Sequence, residues 1–334
     1  MNVLGALRTR PAAPKLQAKR ASAKAGACAR AWCLVLGAAS ALLAAPQDPA
    51  QQQAYRSTTE AVLVHVLVTR NHRPVEGLTA ADFQVRDTGV LQNVTLLALD
   101  TMPVDLRLVL DVSGSLHGTQ LAYLKSAARA AIESLGRDDR AELLTFSDDI
   151  RLRAKSSASR DSILAEIEKV TAAGWTSLVD ATFTAVSLPD QAARRTLALV
   201  FTDGQDTSSW LSPADVVRML AQSRVTVYGV MATPVGSSYT SMGMTRLREL
   251  LLAEPAALRA AFLPVVVADS GGELMYAAAD VNLQSSFLDV LSRFNRRYLL
   301  SYTPTGVPRE GWHPIDVQVK DKSLQVTARR GYTR

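Results

Sequence analysis

The sequence contains few residues that form disulfides or bind soft metals. Its 334 residues include two cysteines and four histidines. Both cysteines, Cys28 and Cys33, lie in an N-terminal segment that we expect to be removed from the mature chain. This scarcity excludes a disulfide framework and a zinc site made of cysteine and histidine. The hydrophobic core must therefore stabilise the fold, and the length is enough for one large domain or two modest ones.

Beyond its N-terminal segment the chain also lacks an excess of positive charge. The formal net charge is +6, but residues 1–45 hold seven basic residues and no acidic one. The remaining 30 basic and 31 acidic residues give a net charge of −1. Because no basic face can be argued from this balance, we expect no nucleic-acid partner.

Residues 1–45 have the pattern of an export signal. A basic region ends at Arg30, and the fifteen residues that follow are apolar or small. This run is shorter than the roughly 20 residues of a membrane-spanning helix. Two cleavage positions fit, after Ala41 and after Ala45. We expect a protein of the periplasm, cell envelope or extracellular space. The alternative is that the segment is retained as an N-terminal anchor. In that case the anchor would be the protein's only contact with a membrane.

The rest of the chain divides into a linker and three patterned segments. Residues 46–59 are a polar linker, and residues 60–102 contain three strand-like runs without a helix. Strands and helices alternate through residues 103–300, which predicts a doubly wound, mostly parallel α/β sheet flanked by helices. Residues 301–334 return to strands. We expect the flanking strands to pair into one small β unit, because each flank alone has too few strands to bury a core.

Polar side chains lie at the ends of predicted strands or helices at three places. Asp111, Ser113 and Ser115 follow the first buried strand, Thr176 lies between two helices, and Asp203 ends a later strand. Open α/β sheets place their sites at the carboxyl ends of the strands. Carboxylates and hydroxyls are hard oxygen ligands that suit Mg²⁺, Mn²⁺ or Ca²⁺ rather than zinc. Neutral hydroxyls would leave the ion with much of its positive charge, so that a carboxylate of a partner protein could become the last ligand.

This order of motifs resembles the von Willebrand factor A (VWFA) domain family. The resemblance rests on Asp-x-Ser-x-Ser, the later threonine and Thr-Asp-Gly after a buried strand, and it covers roughly residues 103–300. It implies a Rossmann-like fold and a metal-ion-dependent adhesion site, or MIDAS, formed by the five residues named above. Two flanking segments, Pro74 to Phe83 and Ala328 to Tyr332, are similar to a bacterial exported VWFA-related subfamily. Trp175 departs from the family pattern, because a glycine is common at that place.

The expected function is metal-dependent protein binding, in adhesion or assembly, rather than catalysis. A haloacid-dehalogenase-like nucleophile would need a second acid where this chain has Ser113, and the Gly-x-Ser-x-Gly elbow of a serine hydrolase is missing. His117 is the only histidine near the predicted site, and no catalytic partner for it can be identified. The alternative function is a structural component of a cell-envelope assembly, in which the metal only stabilises the fold.

Three further features near the predicted site have two interpretations each. The pair Asp148-Asp149 is either a calcium-binding turn or a solvated loop, and we expect the loop. Asp206 is either a support for the loop after Asp203 or a residue without a role there. Trp210 is either a contact residue for a partner or a side chain packed over the sheet.

Overall fold

The computed structural model describes most of the chain after the predicted linker. The described residues are 61–97, 102–191, 193–203, 206–232, 262–277 and 282–334. The predicted export segment, the linker and a predicted helix near residues 245–260 lie outside these ranges. Within them, no helix is both long enough and apolar enough to cross a membrane.

The described residues form fifteen strands and six α-helices. The strands are β1 Val62–Arg70, β2 Arg73–Pro74, β3 Phe83–Asp87, β4 Val90–Gln92, β5 Thr95–Leu97, β6 Val104–Asp111, β7 Arg140–Phe146, β8 Ile150–Ala154, β9 Arg195–Thr202, β10 Thr226–Met231, β11 Leu274–Tyr276, β12 Tyr298–Tyr302, β13 Trp312–Val319, β14 Gln325–Ala328 and β15 Gly331–Thr333. The helices are α1 Thr119–Glu133, α2 Arg160–Glu168, α3 Leu178–Ser187, α4 Pro213–Gln222, α5 Phe262–Ser270 and α6 Leu283–Asn295.

The main sheet has six strands in the order β11-β10-β9-β6-β7-β8. Its first five strands are parallel, and β8 runs antiparallel to β7 at one edge. The sheet is therefore mixed, and the fold is α/β and Rossmann-like. Strand β8 was not predicted, because its five residues include the exposed Arg151 and Leu152 and lack a clear apolar face.

The two central strands, β6 and β9, are buried on both faces, as their continuous apolar runs predict. Leu106, Leu108 and Leu110 of β6 belong to a core cluster shared with α1, α2 and α6. Val109, on the opposite face, belongs to a second cluster shared with α3, α4 and α5. Helices therefore cover both faces of the sheet, and the carboxyl end of β6 places Asp111 at its edge.

The flanking strands form two further sheets that share a third hydrophobic core. One sheet has the order β14-β1-β12-β5, with β2 paired to β1, and the other has the order β15-β13-β3-β4. Strands from both flanks pair, as predicted: β1 with β14, and β3 with β13. The single β unit that we expected is thus divided between two sheets. β12 crosses the predicted boundary at residue 300 and pairs with β1.

A buried polar cluster fixes the strands of these two sheets to one another. Asp87 Oδ2 accepts hydrogen bonds of 2.9 Å from the hydroxyls of Tyr302 and Tyr332. Its Oδ1 accepts hydrogen bonds of 3.0 Å from Thr88 Oγ1 and from His313 Nδ1. Burial alone would raise the pKa of Asp87, but these four hydrogen bonds outweigh it and lower the pKa. The carboxylate therefore links β3 to β12, β13 and β15.

Candidate metal centre

The first loop of the candidate centre begins at the end of β6. Asp111 is fully buried, and its Oδ1 accepts a hydrogen bond of 2.9 Å from the backbone N–H of Ser113. This contact is the local turn that an aspartate makes with its own backbone two residues on. In the same turn, the hydroxyl oxygens of Ser113 and Ser115 lie 3.0 Å apart, and Ser115 is exposed to solvent. The three predicted residues of this loop therefore lie together.

The Asp111 carboxyl lies in a site that disfavours its charged form. Burial is the largest cause and raises the pKa of Asp111 to about 6, with a further upward contribution from the Asp203 charge. Hydrogen bonds from Ser113 and from Thr202 act in the opposite direction. The hydroxyl of Thr202 donates to Asp111 Oδ2 over 2.8 Å. A cation bound between the carboxylates of Asp111 and Asp203 would stabilise their charged forms. This arrangement is what the predicted metal centre requires.

The second loop is hydrogen-bonded directly to the first. The backbone N–H of Gly114 donates to the carbonyl of Gly174 over 2.9 Å, and the N–H of Ala173 donates to the carbonyl of Val112, also over 2.9 Å. These bonds place the loop that carries Thr176 beside the loop that carries the serines. The two loops, which are about 60 residues apart in the sequence, thus form one surface.

Asp148 fixes the second loop, a role that was not predicted for it. Its Oδ1 accepts a hydrogen bond of 2.9 Å from the backbone N–H of Trp175. Gly174 has a φ of +85°, and a Cβ at this position would lie 2.0 Å from Asp148 Oδ2. The positive φ favours glycine at this position, and any larger residue would also displace the carboxylate that fixes the backbone directly before Thr176. The glycine before Trp175 was the only sequence signal for this contact.

The third loop holds the backbone of Thr176 in place. Asp203 follows β9, and residues 206–211 continue across the start of α3. The backbone N–H groups of Thr207 and Ser208 both donate to the carbonyl of Thr176, over 2.8 and 3.0 Å. Thr207 Oγ1 accepts a hydrogen bond of 2.9 Å from the N–H of Thr176. The second and third loops are therefore held together by backbone hydrogen bonds.

Two aspartates attach the third loop to helix α3. Asp206 Oδ1 accepts a hydrogen bond of 3.2 Å from the backbone N–H of Val179, in the first turn of the helix. Asp180 accepts two hydrogen bonds of 2.9 Å from the backbone N–H groups of Trp210 and Leu211. The interpretation of Asp206 as a support for this loop is thus confirmed. Asp206 also satisfies a helix N–H group that has no partner within the helix.

The rim of the centre exposes large side chains to solvent. Trp175 is 70% exposed and Trp210 is 94% exposed, so the interpretation of Trp210 as packed over the sheet is wrong. Exposed aromatic side chains of this size are typical of protein-binding surfaces. His117 is also exposed, and its Nδ1 lies 3.1 Å from the carbonyl oxygen of Gly114.

The chemistry of the donors suits a hard divalent cation. Asp111, Ser113 and Ser115 are joined by hydrogen bonds, Asp203 acts on Asp111 through its charge, and the loop of Thr176 is bonded to the first loop. Among the described residues, no three side chains of His, Cys, Asp or Glu lie close enough together to hold a metal ion. A site here would therefore depend on two carboxylates and on hydroxyl oxygens.

Replacing Thr202 by valine is expected to weaken divalent-metal binding about tenfold, because Asp111 loses a hydrogen bond that orients its carboxylate. Isothermal titration calorimetry with Mn²⁺ measures the change. Thr145→Val is the matched control, since this buried threonine lies in β7, on the other side of β6, and bonds to Arg153 instead. Equal Mn²⁺ affinities for Thr202→Val and wild type would contradict the role of Thr202.

Comparison with known proteins gives a family match for the central part of the chain. Residues 105–262 match the family described as the von Willebrand factor type A domain. No curated protein matches the sequence. Similar solved structures include an aerotolerance-related membrane protein from Bacteroides fragilis NCTC 9343, with 16% identity and a TM-score of 0.43. That match covers 58% of this chain and 99% of the other.

Two other similar structures have comparable scores. A von Willebrand factor type A protein from Catenulispora acidiphila has 14% identity and a TM-score of 0.44, over 83% of this chain and 74% of that one. Proximal thread matrix protein 1 from the mussel byssus, in a form whose MIDAS motif is occupied by zinc, has 16% identity and a TM-score of 0.44. That match covers 62% of this chain and 49% of the mussel protein. On the family match over residues 105–262, this chain carries a von Willebrand factor type A domain.

Proposed function

We propose that this chain is an exported protein that binds a partner protein through a divalent metal ion. The ion is Mg²⁺, with Mn²⁺ and Ca²⁺ as the other candidates, and Asp111, Ser113, Ser115, Thr176 and Asp203 hold it. The observation that carries the proposal is the oxygen-only cluster at the carboxyl end of the main sheet. In this cluster a fully buried carboxyl lies beside a solvent-exposed hydroxyl. The export part of the proposal rests on the signal-like pattern of residues 1–45.

The charges and hydrogen bonds of the cluster support binding to a partner. Thr202 and the backbone of Ser113 orient the Asp111 carboxylate, while Ser113 and Ser115 present uncharged oxygens. When bound, a divalent ion supplies positive charge at this rim, to which a carboxylate of the partner protein can bind. The donor set includes only two carboxylates, so their charge does not exceed the charge of the ion.

The exposed tryptophans supply the apolar part of the proposed binding surface. Trp175 directly precedes Thr176, and the backbone of Trp210 is bound by Asp180 on the same rim. Both backbones are fixed by carboxylates, so the side chains project from ordered loops. Fixed aromatic side chains of this kind often contribute most of the free energy of a protein interface.

We propose no catalytic role for His117. Its Nδ1 contacts the carbonyl of Gly114 rather than a hydroxyl of Ser113 or Ser115. A general base must lie within hydrogen-bond reach of the group that it deprotonates. This geometry supports a binding protein rather than an enzyme.

Replacing Trp210 by serine is expected to reduce partner capture at least tenfold without changing Mn²⁺ affinity, because its side chain contacts the partner and not the ion. The full-length protein is immobilised and exposed to envelope extract in Mg²⁺ or in EDTA, and bound partner is quantified by mass spectrometry. Leu91→Ser is the matched control, because Leu91 is an exposed apolar residue on a flanking sheet. Equal capture by Trp210→Ser and Leu91→Ser would contradict the proposed contact.

The second candidate function is a structural component of an envelope assembly, in which the metal only stabilises the fold. Hydrogen bonds that join the three loops favour it, because an ion at their junction would add to their stability. The two functions give different results in the same capture experiment. If EDTA lowers the unfolding temperature but leaves capture unchanged, the structural function is supported. If EDTA and Asp111→Asn both abolish capture, the metal-dependent binding function is supported.

A further inference from the structure

Three arginines cluster at the end of the main sheet opposite the candidate metal centre. Arg195 begins β9 and Arg297 directly precedes β12, and their exposed fractions are 5% and 1%. Arg329 follows β14 and is only partly exposed. His65 of β1 lies among them: burial, together with the charges of Arg297, Arg195 and Arg329, lowers the pKa of His65 to about 3. Four basic side chains therefore surround one small region.

The three guanidinium groups donate hydrogen bonds only to uncharged acceptors. The acceptors of Arg195 are the carbonyls of Met102 and Phe294 and the side-chain oxygen of Asn295. Those of Arg297 are the hydroxyl of Tyr228 and the carbonyls of His65 and Gly271, and that of Arg329 is the carbonyl of Gly331. Within the part of the chain that the structure describes, none of the three forms an ion pair with a carboxylate.

Other buried arginines of this protein do have carboxylate partners. Arg107 pairs with Glu142, and Arg194 pairs with Asp105. A buried charge is normally stable only when an opposite charge lies close to it. Burial is also the largest cause that lowers the pKa of Arg329 to about 10. The cluster therefore holds three guanidinium groups that no described carboxylate contacts directly.

A small cavity lies beside Arg329 and His65. Its volume is about 20 Å³, and Arg194, Arg224 and Asp190 also line it. The Asp190 carboxylate pairs with Arg224 over 3.7 Å, so it does not balance the charge of Arg329. His65 Nδ1 is buried and has no hydrogen-bond partner among the described residues. A cavity needs roughly 10–15 Å³ of such volume to hold one water molecule. The space therefore suits a single small ion and excludes a nucleotide or an organic cofactor.

We infer that this cavity binds a small inorganic anion of the size and charge of chloride, between the guanidinium of Arg329 and the imidazole of His65. The anion accepts hydrogen bonds from the Arg329 guanidinium and from the Nδ1–H tautomer of His65, and it balances the charge of the arginine cluster. It also connects β1 and the end of β14 to the first residues of β9. These residues join the flanking sheets to the main sheet, so the anion stabilises that junction.

Thermal unfolding at constant ionic strength tests the inference. Chloride is exchanged for methanesulfonate, an anion that is too large for the cavity. For the wild-type protein the unfolding temperature is expected to rise by a few degrees with chloride concentration and then to saturate, as binding to the folded state requires. Arg329→Met should abolish this response. Arg309→Met is the control and should retain it, because Arg309 is exposed. An equal response in both variants, or an equal effect of methanesulfonate, would overturn the inference.

Bromide anomalous scattering from wild-type crystals provides a second test that does not depend on the folding of a variant. The expected result is a bromide peak within hydrogen-bond distance of Arg329 and His65. Density for water alone, with no anomalous signal, would overturn the inference. The inference is independent of the proposed metal function, because β9, roughly 23 Å long, separates the two sites. Asp111→Asn should therefore retain the chloride response.

Discussion

Replacing Asp111 by asparagine is expected to weaken Mg²⁺ or Mn²⁺ binding at least ~100-fold while the protein stays folded. Removal of a ligand should cost more than removal of a residue that only orients a ligand, which typically costs about 10- to 100-fold. Asparagine has nearly the same shape and retains an oxygen that can accept the Ser113 N–H. Because burial disfavours the Asp111 carboxylate, the metal-free variant should be at least as stable as the metal-free wild type.

Calorimetric titration with Mn²⁺ and urea unfolding in EDTA measure these two effects. Asp149→Asn is the matched control, since Asp149 is an exposed aspartate close to Asp148 and interacts with Arg151. Its metal affinity should equal that of the wild type. Equal Mn²⁺ affinities for Asp111→Asn and wild type would show that Asp111 is not a ligand.

Replacing Arg107 by methionine is expected to reduce the free energy of unfolding by about 3–5 kcal/mol. Arg107 lies in β6, four residues before Asp111, with 3% of its side chain exposed. It forms an ion pair with Glu142 and donates to the carbonyls of Ala185 and Pro189 over 2.6 and 2.7 Å. Removal of the guanidinium would leave a largely buried carboxyl and two carbonyls without this donor. The loss is therefore much larger than that of an exposed ion pair.

Urea unfolding of three variants separates this cause from a general effect of losing an arginine. Arg140→Met, an exposed arginine at the start of β7, should change the free energy of unfolding by no more than ~0.5 kcal/mol. The double variant Arg107→Met with Glu142→Leu should regain part of the loss, because it removes both buried charges. A loss below ~1 kcal/mol for Arg107→Met would contradict the account of this ion pair.

The central part of the sheet could be predicted from the sequence, because a strand that is buried on both faces is a nearly continuous run of apolar residues. The run before Asp111 and the run before Asp203 are both strands of the main sheet, and each ends beside the residue that it was expected to present. The strand-end position of a polar residue is thus readable from local sequence. The edge strand β8 was not predicted, since its residues are only partly buried and it is held by pairing with β7.

Contacts between distant segments could not be predicted in the same way. Asp148 binds the backbone of Trp175, and Asp206 binds the start of α3, each from a different loop. An aspartate in a turn has the same local pattern whether it is solvated or bound to another loop, so only the fold distinguishes the two. The same reason applies to Arg195 and Arg329, which are 134 positions apart in the sequence and lie near the same histidine.

Anomalous scattering from crystals grown with Mn²⁺ locates the proposed metal ion. We expect one strong manganese peak in contact with the hydroxyl oxygens of Ser113 and Ser115, beside Asp111 and Asp203 at the carboxyl end of the main sheet. The peak should be absent from crystals of Asp111→Asn grown under the same conditions. A wild-type crystal with no manganese at this rim, or with manganese bound only elsewhere, would show that these residues do not form a metal site.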